Sequence, residues 1–550
     1  MKRVFSVLFA TVAAAAVSVS LNACGSKEKP SASPAPVQKT AGTVQPTNLK
    51  GAVDIKGAFN NGSMWAKVGP VYRFKSGVSA LALTSGYSKE LTGYPATSNV
   101  GSAITDPYVT TPHPYSGILM LNDSEVFEPL AGNDSSVAWV AQDPKVSGGK
   151  EYPHSFKDKQ KGSLQESVLV PFGDVGANTK TVGVSVGVIG FAAQVPVLKA
   201  AEAPQSLQAA LKKIPQDNTK QAFHAPYSEF IRTPGMGIAN GKKNLDVTLA
   251  ADVFFDSGKW EIKPESQSAL NELVRALQTH EPGEVAIVGH TDDVPDTNVG
   301  NQVLSENRAQ AVKAVLAGKS ELSGFTFQAS GKAATEPAVA GTTPEARAKN
   351  RRVEVSVKTP VKKEILKLQA ASAEMPPPVG EESTWPQPVT YDSDHSGSSP
   401  KVMQISVSKA VSYPKYTLVT FVIKSVSVKT MWYDNLRFEY NYHNGTEKRF
   451  GLYGADILRG QSRTGPLEYV RATEGSGNEY RVITGGSNAG AGSEVKPGYK
   501  LTIPVLYPPT TDKTITIDAS QTNAVSSSPD FGWRIKDIPV TKATAGKRAA

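Results

Sequence analysis

The stretch 284–318, EVAIVGHTDDVPDTNVGNQVLSENRAQAVKAVLAG, changes its hydrophobic rhythm twice. Val285, Ile287 and Val288 form a short apolar run, as a buried strand requires. TDDVPDTNVG is turn chemistry, because Asp, Pro, Asn and Gly favour bends or left-handed backbone. From about Asn298 to Ala317 apolar residues recur at helical spacing, and Gly318 is a suitable stop. At ~100° per residue Arg308 shares a stripe with Leu304, Ala311, Val312 and Val315. A guanidinium on the inward face of a helix needs an anion or a wet cleft. Asp292 follows the C-terminal end of the strand, where ligand crevices of α/β sheets open. One carboxylate and one guanidinium facing a cleft would match a ligand carrying an ammonium and a carboxylate. An internal Asp292–Arg308 salt bridge would explain the same pattern, and the residues alone leave both readings open.

Working outward, residues 246–358 alternate strands with helices. DVTLAADVFF is predicted as a strand. Pro264 then opens a helix with Leu270, Leu273, Val274 and Leu277 at i, i+3, i+4 and i+7. FTFQASG and RRVEVSV alternate with period two, as half-buried strands do. The order β-α-β-α-β-β predicts a two-layer α/β sandwich.

The flanks differ. Residues 51–240 carry short β-type runs such as VSALALTSG, ESVLVPFGD and VGVSVGVIGF, with a short helix expected at QSLQAALKKI (205–214); they predict a mainly-β module. Residues 359–400 are rich in Pro and Ser and predict a linker. Residues 401–545 return to β runs, VMQISVSKA and YTLVTFVIKSVSV among them, and predict a β-sandwich; VKPGYKLTIPV resembles the turn and strand of immunoglobulin-like lipoprotein modules. The expected fold class is α+β and multidomain: a central βαβαββ sandwich flanked by two mainly-β modules.

At the N-terminus Lys2 and Arg3 precede the apolar run VFSVLFATVAAAAVSVSL and then LNAC, an export-signal pattern over 1–23. The chain's one cysteine, Cys24, stands where cleavage is expected, and this resembles bacterial lipoprotein precursors. The resemblance implies that Cys24 becomes the acylated first residue, although Asn22 departs from the usual small apolar residue. Residues 24–50, rich in Pro, Ser, Ala and Lys, predict a flexible tether. The net charge of +9 is modest for 550 residues and comes with no nucleic-acid motif. With Cys24 assigned to lipid, no thiol remains for disulfides, catalysis or metal.

Enzyme signatures are missing. There is no HExxH, GxxxxGK[ST], GxSxG or CxxC. GQSRTG around Ser462 only mimics a nucleophile elbow, and TGGSNAGAGS (484–493) reads as a loop rather than a phosphate cradle. The seven histidines have no metal-ligand spacing. No cofactor, metal or catalytic residue is expected.

Three ordered motifs within 246–358, ADVFFDSGKWEIKPES, GHTD followed by NQVLSENRAQAV, and EARAKNRRVEV, strongly resemble the OmpA-like domain. Peptidoglycan-associated lipoproteins and flagellar stator proteins share this domain. In that family these positions grip meso-diaminopimelate in the peptide stem of peptidoglycan. The resemblance implies that Asp292 takes its ammonium and that Arg308 and Arg351 hold its carboxylate. It further implies that Asn301, Thr291 and Asp256 shape the pocket. Val294-Pro295 replaces a glycine usual in the family, and the aspartate-to-arginine spacing is about one residue longer. Asp293 and Asp296 read as turn residues, and His290 as strand-end packing. The expected protein is therefore a lipid-anchored, cell-envelope tether to peptidoglycan, facing the wall from an outer membrane or cell surface. Its rivals are a surface adhesin or assembly scaffold acting through the β modules, and a wall hydrolase. No transmembrane helix with a proton-carrying acid follows the signal, which disfavours a motor stator.

Overall fold

The computed structural model describes residues 49–60, 62–87, 117–130, 139–140, 164–214, 216, 223–233, 235–362, 374–392, 402–426, 431–432, 447–450, 455–473, 477–483, 494–495, 497–519 and 532–543. Cys24, the signal segment, nearly all of the tether and the Gly-rich loop 484–493 lie outside them. The chain is a mixed α/β protein dominated by strands, with an α/β domain set among extensive β structure.

The central domain is built on one mixed sheet. Its strands are β1 (His224–Thr233), β2 (Met236–Asn240), β3 (Leu245–Ala250), β4 (Glu284–His290), β5 (Thr326–Gly331) and β6 (Arg352–Val357). Across the sheet the order is β1-β2-β3-β6-β4-β5; every neighbouring pair is antiparallel except β4 and β5, which are parallel. Two helices cover one face: α1 (Gln267–Gln278) and α2 (Asn301–Ala317). Leu270, Leu273, Val274 and Leu277 of α1 are buried against Val247, Leu249, Ile287, Val353 and Val355, as their spacing predicts. Each such side chain contributes about 2 kcal/mol of apolar burial. Parallel pairing demands a crossover, and α2 supplies it between β4 and β5.

Two local features depart from the sequence reading. DVTLAADVFF is not one strand: β3 stops at Ala250 and Ala251–Phe254 makes a single helical turn. A third helix, α3 (Pro344–Asn350), precedes β6, begun by the Thr343 side chain accepting from the Ala346 amide and by Pro344 at its first turn. With only seven residues, it shows too little periodicity to be read in advance.

The flanking regions also differ from two separate modules. Strand Val53–Asn60 pairs antiparallel with strand Lys500–Tyr507, through Phe59↔Leu501 and Asn60↔Lys500. One apolar core holds Met64, Leu83, Val170 and Phe172 together with Ile405, Phe421, Ile503 and Trp533. The N-terminal and C-terminal β regions thus form one body, and the central domain is inserted into it. β1 stitches the two together. It pairs with β2, with Glu125–Phe127 from the first region, and with Ser462–Thr464 and Glu468–Thr473 from the second. A boundary at residue 240 would therefore cut through the central sheet. The expected linker 359–400 is structured over much of its described part: Glu381–Thr384 pairs with Trp533–Lys542, and Val389–Asp392 with Val402–Ser412. Its composition misled because short edge strands tolerate the nearby prolines.

Candidate functional site

The candidate cleft lies at the C-terminal end of β4, beside the helical turn after β3 and the residue between α3 and β6. Backbone pairing brings these together. The Ala251 amide donates to the Arg351 carbonyl at 2.9 Å, continuing the β3–β6 ladder and setting Asp252 beside the Arg351 side chain.

Arg351 is the hub of a three-residue ion network. Its Nε and Nη2 donate to the two carboxylate oxygens of Asp252 at 2.8 and 2.6 Å, and its Nη1 donates to Asp292 Oδ2 at 2.6 Å. Bidentate pairs of this kind are among the stronger charge-assisted bonds. Arg351 holds the Asp252 carboxyl below the usual range, and Asp252 in turn raises the guanidinium. Asp292 is buried, and its Oδ1 accepts from the Val294 amide at 3.1 Å.

Arg308 is in a different position. It is only 4% exposed, and its guanidinium donates to two main-chain carbonyls, Lys259 at 2.9 Å and Asp256 at 3.4 Å. It sits 5.3 Å from the centre of the Phe255 ring. Among the described residues no carboxylate lies within salt-bridge distance of it. Burial lowers its pKa, while the nearby Asp252, Asp296 and Asp292 charges act to raise it. A buried guanidinium without a carboxylate has unused attraction for an anion.

Asn301 organises the loop between β4 and α2. Its Oδ1 accepts from the Asp296 amide at 2.8 Å, and its Nδ2 donates to the carbonyls of Asp292 at 3.2 Å and Val294 at 3.0 Å. Asp296 accepts from the amides of Asn298 and Val299, holding its carboxyl below the usual range in a turn role. Asp293 forms a bidentate pair with Arg347 at 2.7 and 2.9 Å on the surface rather than standing free in solvent. The Thr291 hydroxyl donates to the Asp292 carbonyl, and its amide to Ala333. The Asp256 side chain is 75% exposed, so this residue meets the cleft by its main chain. His290 is buried under Glu354, 3.7 Å away.

An Asp292–Arg308 salt bridge, one of the two readings the residues left open, is not formed; Asp292 is paired with Arg351. Asp292, Asn301, Thr291, Arg351 and Arg308 do gather around this end of the sheet. Asp252 was missed because the run containing it was read as a strand; the break in alternation at Ala250-Ala251 was the available sign. Ser462, the elbow mimic, stands in a plain hairpin strand, Ser462–Thr464. Among the described residues no group of acids and histidines could hold a metal ion, and no helix is long and apolar enough to cross a membrane.

The OmpA family model matches residues 254–351. Outer membrane protein A of Bordetella avium is 31% identical over 144 residues, covering 25% of this chain and 73% of that protein. Motility protein B of Bacillus subtilis is 35% identical over 118 residues, 21% of this chain; the match spans 45% of that protein's length. Among solved structures, the cell wall anchor of the T6SS from Pseudomonas aeruginosa is 29% identical, covers 23% of this chain and 89% of its own, and has a TM-score of 0.21. Through the domain that carries the Asp292 and Arg308 cleft, the chain belongs to the OmpA family.

Proposed function

We propose that this protein binds peptidoglycan without making or breaking a bond, gripping the free ammonium and carboxylate of meso-diaminopimelate in a stem peptide. Asp292 faces the ammonium, Arg308 takes the carboxylate, and Arg351 completes the charged rim. The observation that carries this reading is the buried Arg308 guanidinium with carbonyls but no carboxylate among its described partners. In the same proposal Cys24 bears the lipid, and residues 24–50 tether the folded body to a membrane in the cell envelope. A single desolvated zwitterion grip is worth a few kcal/mol, so lasting attachment comes from many copies on one wall.

The test is sedimentation of the full chain with purified peptidoglycan. Asp292→Ala and Arg308→Ala should remain in the supernatant, while Asp293→Ala should pellet. Peptidoglycan carrying lysine in place of diaminopimelate lacks the carboxylate and should bind poorly. Normal pelleting of both of the first two variants would refute the clamp, and release of soluble wall fragments would point to a hydrolase.

A further inference from the structure

We propose that Asp252 sets the charge selectivity of the cleft, restricting it to zwitterionic head groups; this rests on the diaminopimelate clamp above. Four charged groups meet there. The Arg308 guanidinium lies near Asp252, Arg351, Asp296 and Asp292, and of these carboxylates Asp296 is held by the amides of its own turn. The two carboxylates bonded to Arg351, together with the two guanidinium groups, leave the lining of the unliganded cleft formally neutral. An ammonium-plus-carboxylate head group is neutral as well, so its burial leaves every charge compensated. A plain carboxylate would add one negative charge with no counterpart.

Geometry enforces the same selection. The Nε/Nη2 edge of Arg351 is the edge best suited to a carboxylate, and Asp252 already occupies it at 2.8 and 2.6 Å. Asp292 holds Nη1 from the other side. An incoming anion must displace an internal one to use Arg351, whereas Arg308 has no carboxylate to displace. Without Asp252 the cleft would carry a net positive charge and an open bidentate edge, the chemistry of a general anion site. The Asp252 side chain is 52% exposed, so its charge can be removed with little disturbance of packing.

Titration of the full chain with meso-diaminopimelate and with pimelate, the same diacid without amino groups, tests this. The wild type should bind the first much more tightly than the second, with both affinities measured. Asp252→Asn and Asp252→Ser should both shift the affinity ratio toward pimelate by about tenfold, the effect of removing one nearby charge in a partly wet site; Asp252→Glu should restore it. If diaminopimelate binds the wild type but both variants keep the wild-type ratio, or bind neither acid, the selectivity role is wrong and the clamp stands. If the wild type binds neither acid, the clamp falls and the selectivity role falls with it.

Discussion

Gly289 lies so close beneath Ser305 that a β-carbon at position 289 would stand 1.9 Å from the Ser305 carbonyl oxygen. Gly331, its partner across the parallel β4–β5 pair, meets the same turn of α2, with the Ser305 hydroxyl 2.5 Å from where its β-carbon would be. The helix therefore rests on two glycines, and the next turn along it carries Arg308. Gly289→Ala must push α2 away through backbone rather than a flexible side chain. It should cost about 3 kcal/mol, the upper part of the overpacking range, in urea unfolding, and should weaken wall binding as Arg308 shifts.

Arg308→Met separates binding from stability. The guanidinium is buried with only carbonyl partners, and an apolar side chain of similar length can lie against Phe255. Unfolding free energy should stay within about 1 kcal/mol of wild type, since a buried charge adds little net stability. Peptidoglycan sedimentation should be lost. A large drop in stability would show that the residue is kept for the fold instead.

Asn301→Ala removes three hydrogen bonds that close the loop 292–301. A stability loss of about 1–3 kcal/mol is expected. The loop should become a site of proteolytic nicking before the rest of the domain is cut, and binding should weaken because Asp292 loses its support.

Acid should weaken the domain through Glu354. The neighbouring His290 ring and the Arg352 guanidinium hold its carboxyl down to about 2 from an ordinary 4.5. A depressed carboxylate contributes stability that is whole above the ordinary value and disappears as the pH falls from about 4.5 toward 2. Glu354→Gln should therefore flatten the acid side of the stability–pH curve in that window, while differing little in slope at neutral pH.

Trp533→Ala examines whether the outer β regions are one body. Trp533 is buried, its ring 6.3 Å from Phe421 and within the core shared with Met64 and Phe172. Truncation should cost about 3–5 kcal/mol. Limited proteolysis should then expose sites on both sides of the central domain together. Cleavage confined to residues after 374 would separate the two regions.

The parts of this molecule legible in the sequence are those with local causes. Leu270 and Leu277 announced α1 by spacing alone, and the stripe on α2 placed Arg308 on its inward face, where it is buried. What was hidden depends on distance along the chain. Nothing near Phe59 hints at Leu501, and β propensity cannot distinguish two sandwiches from one. The identity of Asp292's partner was also out of reach, because Arg351 arrives there only through the β3–β6 register. Asp252 shared that obscurity, since its place follows from a turn one residue past a strand.

The insertion of the central domain has a consequence for the order of assembly. Residues 224–357 are contiguous and pair largely among themselves, so they can close soon after entering the envelope. The surrounding body must wait for Lys500–Tyr507, which reaches back across most of the chain to pair with Val53–Asn60, and such remote pairings form slowly. During that interval the first β strands stand with open edges and exposed apolar faces, the state most prone to aggregation. Maturation of this protein should accordingly depend on holding factors for its outer body, while the central domain is ready early.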